Sequence, residues 1–324
     1  MAKQVKVAII GASGIGKQHA KWFHLSGCDV AAFAGRTPES VEKTTQVLKG
    51  LFEFKGKGYW DCDEMLRAEE PDAVVVSSPA SLHREHAVRA LAAGAHVLCE
   101  KPLVWRADRD ARSILEDGRA IVDAATAHGR ILAINTQYAA GIGAYEQVVP
   151  KCARGRCAVD SFYMEMETKG GGGMHEYEQI FIDNASHPIS LALAWLPGAK
   201  VDEGTLSCQV GRKETVAAFH LIRADGGICQ VRFLVRNIKE GKVKRQFGVN
   251  GRLVTYDGRN DDRGQFRTYL AHGGTERAFD DLMSVSVRRF VGAVRGEGTV
   301  LATGAEGLRN LEIQVGLLER SVRV

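Results

Sequence analysis

The sequence predicts an α/β protein: an N-terminal doubly wound parallel sheet of the Rossmann type, then an α+β domain with a large, mostly antiparallel open sheet. Three observations predict it. The apolar run VKVAII at Val5–Ile10 leads directly into the glycine string GASGIG at Gly11–Gly16 and a helix-spaced segment. Short β-branched runs and helical stretches then alternate as far as Tyr138, the pattern of parallel strands joined by crossover helices. Beyond Tyr138 strand-like runs follow one another with Gly, Asn and Asp turns between them, which suits antiparallel pairing. The boundary is therefore placed between residues 138 and 139, with the closing helices of 139–324 allowed to pack back on domain 1–138.

Val5–Ile10 is the first strand, and Ile15–Leu25 carries helical spacing through Ile15, His19, Trp22 and Phe23. Val30–Ala34 is a second strand. Ala73–Ser77 is β-branched and bounded by Pro71–Asp72 and Pro79, the signature of a strand buried on both faces. Glu85–Ala93 reads as a helix stopped by Gly94, His96–Cys99 as a strand, Asp108–His128 as a long helix ending at Gly129, and Ile131–Ile134 as a sixth strand. In the second part, Val159–Thr168, Thr205–Val210, Val216–Arg223, Gly227–Val235, Gln246–Val249 and Arg252–Asp257 read as strands. Phe181–Trp195, Met283–Val294 and Ala305–Glu319 read as helices. Four glycines at Gly170–Gly173 predict a mobile loop, because they would lose too much backbone entropy inside an element.

Composition excludes several classes. No apolar run reaches the ~18 residues of a membrane span, and the N-terminal run breaks into glycines instead of a cleavage site, so no signal peptide is expected. The seven cysteines, Cys28, Cys62, Cys99, Cys152, Cys157, Cys208 and Cys229, are scattered without a CxxC pair. That argues for reduced thiols in the cytoplasm and against a zinc site. Net charge is +4; residues 1–150 hold 18 basic and 18 acidic side chains, so the excess lies in 151–324. Its densest stretch, Arg236 to Arg245, is flanked only by Phe233 and Phe247. It lacks the interleaved aromatics of a nucleic-acid surface and is expected to be a solvated hairpin or edge strand.

Three strings carry the chemistry. In GASGIG, Gly11 allows the tight turn, Gly14 lets the backbone approach a pyrophosphate, and Gly16 lets helix and strand pack closely. Gly11, Ser13, Gly14, Ile15 and Gly16 are thus a candidate dinucleotide loop. After the second strand, FAGRTPES places Gly35 where an NAD site usually holds an acid, followed by Arg36 and Thr37; this favours NADP(H), with NAD(H) possible. Ser78, Pro79 and His83 after the fourth strand, and Glu100 with Lys101 after the fifth, complete the candidate cofactor set, the alternative for Glu100 being to pair with a neighbouring group and align the loop. Lys101 stands past a strand's carboxyl end, where parallel sheets place ligands, and its ammonium can stabilise oxyanion charge. Asp183 and His187 are four apart, so on one helix they share a face. There an imidazole can move a hydroxyl proton while the carboxylate orients it; Pro188 predicts a kink or restart. Tyr138, Tyr163 and Tyr177 are candidate substrate contacts.

With these residues in place the chain resembles the Gfo/Idh/MocA oxidoreductase family over nearly its whole length. GASGIG matches the nucleotide loop, Pro71–Leu103 with its CEKPL matches the most recognisable block, and the segment from Gly171 to Leu196 matches the glycine run and D-x-x-x-H helix. The resemblance implies a dinucleotide-binding Rossmann domain and a second domain that binds substrate and forms a homodimer or homotetramer through its sheet. It implies Lys101, His187 and Asp183 as the catalytic set of an NAD(P)-dependent dehydrogenase acting on a secondary alcohol or ketone of a sugar or polyol. No metal, nucleic acid or membrane partner is expected. Ala80 replaces a common Asn, Ser190 a common Asp, and Asn135–Gly141 lacks an Arg seen in many sugar-acting relatives. Two alternatives fit the same strings: a silent nucleotide-binding regulator, or a glycoside hydrolase or epimerase relative holding its NAD tightly.

Overall fold

The computed structural model describes residues 4–169 and 177–324; Gly170–Gly173 lies outside them. The chain divides into two compact units, Met1–Thr136 with Met283–Leu311, and Gln137–Leu282 with Glu312–Val324. The division thus falls two residues before the boundary read from sequence, and Met283–Leu311 belongs with the first unit.

The first unit runs β1 (Lys6–Ile10), α1 (Gly16–Leu25), β2 (Asp29–Ala34), α2 (Pro38–Leu51), β3 (Lys57–Tyr59), α3 (Cys62–Glu69), β4 (Ala73–Val76), α4 (His83–Ala92), β5 (His96–Cys99), α5 (Ala111–Ala127) and β6 (Leu132–Ile134). The strands are parallel in the order β3-β2-β1-β4-β5-β6. Val7, Ile9, Val74, Val75, Val76 and Leu98 are buried because helices cover both faces, which explains their unbroken apolar runs. The order reverses between β1 and β4, so a crevice opens at their carboxyl ends.

The second unit begins with α6 (Gly141–Val148), β7 (Ser161–Lys169), α7 (Gln179–Asn184) and α8 (Ser186–Trp195). It continues with β8 (Lys200–Val210), β9 (Glu214–Ile222), β10 (Ile228–Ile238), β11 (Arg245–Val249), β12 (Arg252–Asn260), β13 (Phe266–His272) and β14 (Thr275–Asp280). The chain closes with α9 (Leu282–Val294), α10 (Gly304–Glu319) and β15 (Ser321–Arg323). The nine strands lie in the order β14-β13-β12-β11-β7-β10-β9-β8-β15, antiparallel except for the β7–β10 and β8–β15 pairs. Alternate residues such as Phe162, Met164, Phe233 and Phe247 form one core with Tyr145, Phe181 and Trp195 from the helices. The Trp195 ring meets Tyr145 edge-on at 4.7 Å and also touches Phe162 and Phe247. Trp195→Ala is expected to lower stability by about 3–5 kcal/mol, read as a shifted urea midpoint. Trp195→Phe should lose much less, because the buried indole N–H has no hydrogen-bond partner.

The basic stretch is neither hairpin nor edge. β10 ends inside the sheet between β7 and β9, and the chain crosses β7 to reach β11. Its charges are used locally: Arg236 pairs with Glu167 and Glu214, Lys244 with Glu165, and Lys242 with Asp257. Glu165 and Glu167 are buried on β7, so they need those cations nearby.

Candidate functional site

At the end of β1, Gly11 has φ +91° and a Cβ there would lie 2.8 Å from the Ser77 carbonyl oxygen, so only glycine makes this turn. A Cβ on Gly16 would collide with the Gly11 carbonyl, which keeps α1 close against the strand; Gly14 faces open space. No side chain caps α1, and its first turn holds no acid. The start of the helix is therefore open to an anion, apart from the Gln18 N–H, which donates to the Ile15 carbonyl at 2.9 Å. Beside this turn lies a cavity of about 670 Å³ lined by Gly11, Ser13, Arg36, Ser78 and Pro79. This is the cradle a dinucleotide requires. Ile15 is exposed at the loop tip and does not line the cavity.

At the end of β2 a Cβ on Gly35 would come within 2.9 Å of Val41. The packing of α2 thus disfavours the acid common in NAD sites. Arg36 is exposed and lines the cavity with Ser40 and Thr44. Thr37 has a different task from the one read in the sequence: its hydroxyl accepts from Ser40 N–H at 3.2 Å, and Ser40 Oγ accepts from Thr37 N–H at 3.0 Å. It caps α2 and does not line the cavity. Trp60, His86 and Arg89 also line it, and none of them is expected from the sequence to contact a ligand. Trp60, 60 % exposed before a capping Asp61, was the one readable signal.

His83 and Glu100 are both buried and act on loops. The two ring nitrogens of His83 face the Pro102 carbonyl at 2.9 Å and the Ser78 carbonyl at 2.8 Å. Burial pushes its pKa down against those two acceptors. It ties the loop after β4 to the loop after β5, and at 1 % exposure it offers nothing to a ligand. Glu100 Oε1 accepts from Asn135 Nδ2 at 2.6 Å and lies 2.7 Å from His19 Nε2, while Oε2 accepts from Lys101 N–H at 3.2 Å. Ser286 Oγ donates to Asn135 Oδ1 at 3.0 Å. The carboxylate therefore fixes the backbone of Lys101, which follows β5 at the carboxyl end of the sheet, with a cis peptide to Pro102. Lys101 does not line the cavity beside the Gly11 turn.

In the second unit Asp183 and His187 do not share one helix. Pro188 has no N–H to give the Asn184 carbonyl, so the ladder breaks at Ala185 and restarts as α8. Pro188 falls in the first turn of α8, where an N–H is not needed. Asp183 is exposed at the end of α7 and accepts from Gln179 Nε2 at 2.9 Å; His187 is buried. Of the three tyrosines, Tyr138 joins His187, with ring centroids 4.9 Å apart. Tyr163 does not, because it alternates with Phe162 and Met164 and so takes the face away from the core. Tyr177 is flanked by Arg212 and Arg323 at 4.9 and 5.2 Å, with Arg323 in edge strand β15. Tyr256 lies 5.3 Å from Tyr138, and Arg245 lies 5.8 Å from Tyr256; neither was singled out from the sequence.

Residues 5–136 match the sequence profile of an oxidoreductase family with an NAD-binding Rossmann fold. Glucose-6-phosphate 3-dehydrogenase of Bacillus subtilis (strain 168) is 38 % identical over 98 residues, 30 % of this chain and 26 % of that protein. Inositol 2-dehydrogenase of Acidiphilium cryptum (strain JF-5) is 35 % identical over 130 residues, 40 % of this chain and 35 % of that protein. The matched segments thus span about a quarter to a third of the length of these relatives. The solved structure of UDP-N-acetylglucosamine 3-dehydrogenase from Acidithiobacillus ferrooxidans aligns with 98 % of each chain at a TM-score of 0.73 and 19 % identity, a likeness of fold.

Proposed function

We propose, for a chain whose residues 5–136 match the model of the Gfo/Idh/MocA oxidoreductase family, an NAD(P)-dependent dehydrogenase or reductase of sugars, polyols or their derivatives. The observation that carries the reading is the uncapped start of α1 beside the Gly11 turn and its cavity of about 670 Å³. Those residues fit a dinucleotide, whose nicotinamide, when bound, takes up or gives back a hydride at a secondary alcohol carbon. The α1 amides hold the pyrophosphate. Arg36, with Ser40 and the start of α2, takes a ribose 2′-phosphate, which gives the preference for NADP(H). Lys101 steadies the substrate oxygen as negative charge grows on it. His187 takes or returns the hydroxyl proton, and Asp183 orients it. The names of the two curated relatives support the substrate class.

Assembly as a homodimer or homotetramer in the cytoplasm completes the reading. The sheet face bearing Tyr163, Arg232 and Leu234, away from the helix-packed core, is the surface offered to a second copy. Among the described residues no helix is long and apolar enough to cross a membrane.

Calorimetric titration with both nucleotides, followed by a sugar and polyol panel with the preferred one, tests the proposal. NADP(H) should bind at least about tenfold more tightly than NAD(H), and Arg36→Ala should erase most of that ratio. Binding of neither nucleotide would reject the assignment.

A further inference from the structure

We propose that Arg245 is an anion-recognising residue of the substrate site around His187, so that the chain takes sugars bearing a carboxylate or phosphate in preference to neutral ones. The inference rests on the dehydrogenase reading above and narrows its substrate class.

Arg245 opens β11 and pairs in register with Met166 of β7. Met166 and Phe247, two residues further along β11, both belong to the core, so the Arg245 side chain takes the helix-packed face. On that face it is half-buried, with its guanidinium 5.8 Å from the centroid of the Tyr256 ring. The Tyr256 ring contacts Tyr138, and the Tyr138 ring contacts His187. Ring contacts thus run without a break from the cation through two buried tyrosines to the imidazole, all within the second unit.

The bonding of Arg245 sets it apart from its neighbours. Arg236 and Lys244 both hold carboxylates. Arg245 has no carboxylate within ion-pair distance among the described residues, and its one hydrogen bond runs from Nε to the Glu167 carbonyl at 3.2 Å. A cation half-removed from water and beside an apolar core is unfavourable without an anion, and an aromatic face offsets only part of that cost. The anchored Nε fixes the plane of the guanidinium, and among the described residues neither terminal nitrogen has a hydrogen-bond partner. That arrangement is a fork suited to two oxygens of one carboxylate or phosphate. A lysine could not present it.

The test uses the whole protein saturated with its preferred nucleotide and measures calorimetric binding of D-glucose, D-glucuronate and glucose 6-phosphate. The wild type should bind at least one anionic sugar about tenfold or more tightly than glucose; which one identifies carboxylate or phosphate as the group. Arg245→Met should bring that ratio close to one and Arg245→Lys to an intermediate value, with both variants melting as the wild type does. Equal binding of neutral and anionic sugars by the wild type would overturn the assignment, as would a ratio that survives Arg245→Met. Failure of all three sugars to bind beside a bound nucleotide would instead reject the dehydrogenase reading, and this inference with it.

Discussion

Lys101→Ala is expected to lower kcat by about 10²–10³-fold while changing nucleotide affinity by less than about threefold. Lys101 follows β5 at the carboxyl end of the parallel sheet, yet it does not line the cavity beside the Gly11 turn. Its removal should therefore leave the nucleotide's main contacts in place. An ammonium that meets the substrate oxygen matters most as that oxygen gains negative charge, so kcat and kcat/KM should fall together. Lys101→Arg should not restore the rate, because a planar fork on a longer stem cannot occupy the place of a compact point charge. Steady-state kinetics with the best substrate of the panel, beside calorimetry of the nucleotide, separate the two quantities. Turnover of Lys101→Ala at the wild-type level would remove Lys101 from the catalytic set.

The parts of the fold and site legible in the sequence are those set by local chemistry. Gly11 and Gly16 stand where a turn and a close helix–strand approach permit no side chain, and the β5 expectation, His96–Cys99, coincides with the strand. The unread elements have weak local signals. β14 is largely exposed and polar, so it shows no buried alternation. α2 buries Thr44 between Val41 and Leu48, which blurs its apolar stripe. The basic stretch was misread because its partners, Glu165 and Glu167, lie far back in the chain and meet it only once β10 and β11 flank β7. Arg245 was illegible for the same reason, since nothing local says which face of β11 it takes. His83 and Thr37 stand where the sequence places ligand contacts, and the chain also uses their polar atoms to hold its own loops and helix end.

Glu100→Ala is expected to destabilise the first unit by about 3–5 kcal/mol, as removal of one partner of a buried ionic group does. The loss leaves His19, fully buried, and the Asn135 amide without their acceptor, and frees the Lys101 backbone N–H. A pH signature distinguishes this network from simple packing. Burial alone would raise the Glu100 pKa, but the hydrogen bond and charge of His19, the charge of Lys101 and the Asn135 amide outweigh it and hold the carboxyl at about 2. A carboxyl held below its unfolded value of ~4.3 adds stability above that pH, and the gain fades as pH falls toward the folded pKa. Urea midpoints measured between about pH 2.5 and 6 should therefore fall more steeply on acidification for the wild type than for Glu100→Gln, which has the same shape but no proton to gain. Parallel curves for the two proteins would mean that the carboxylate charge holds nothing in place, and that the backbone of Lys101 is set by the chain around it.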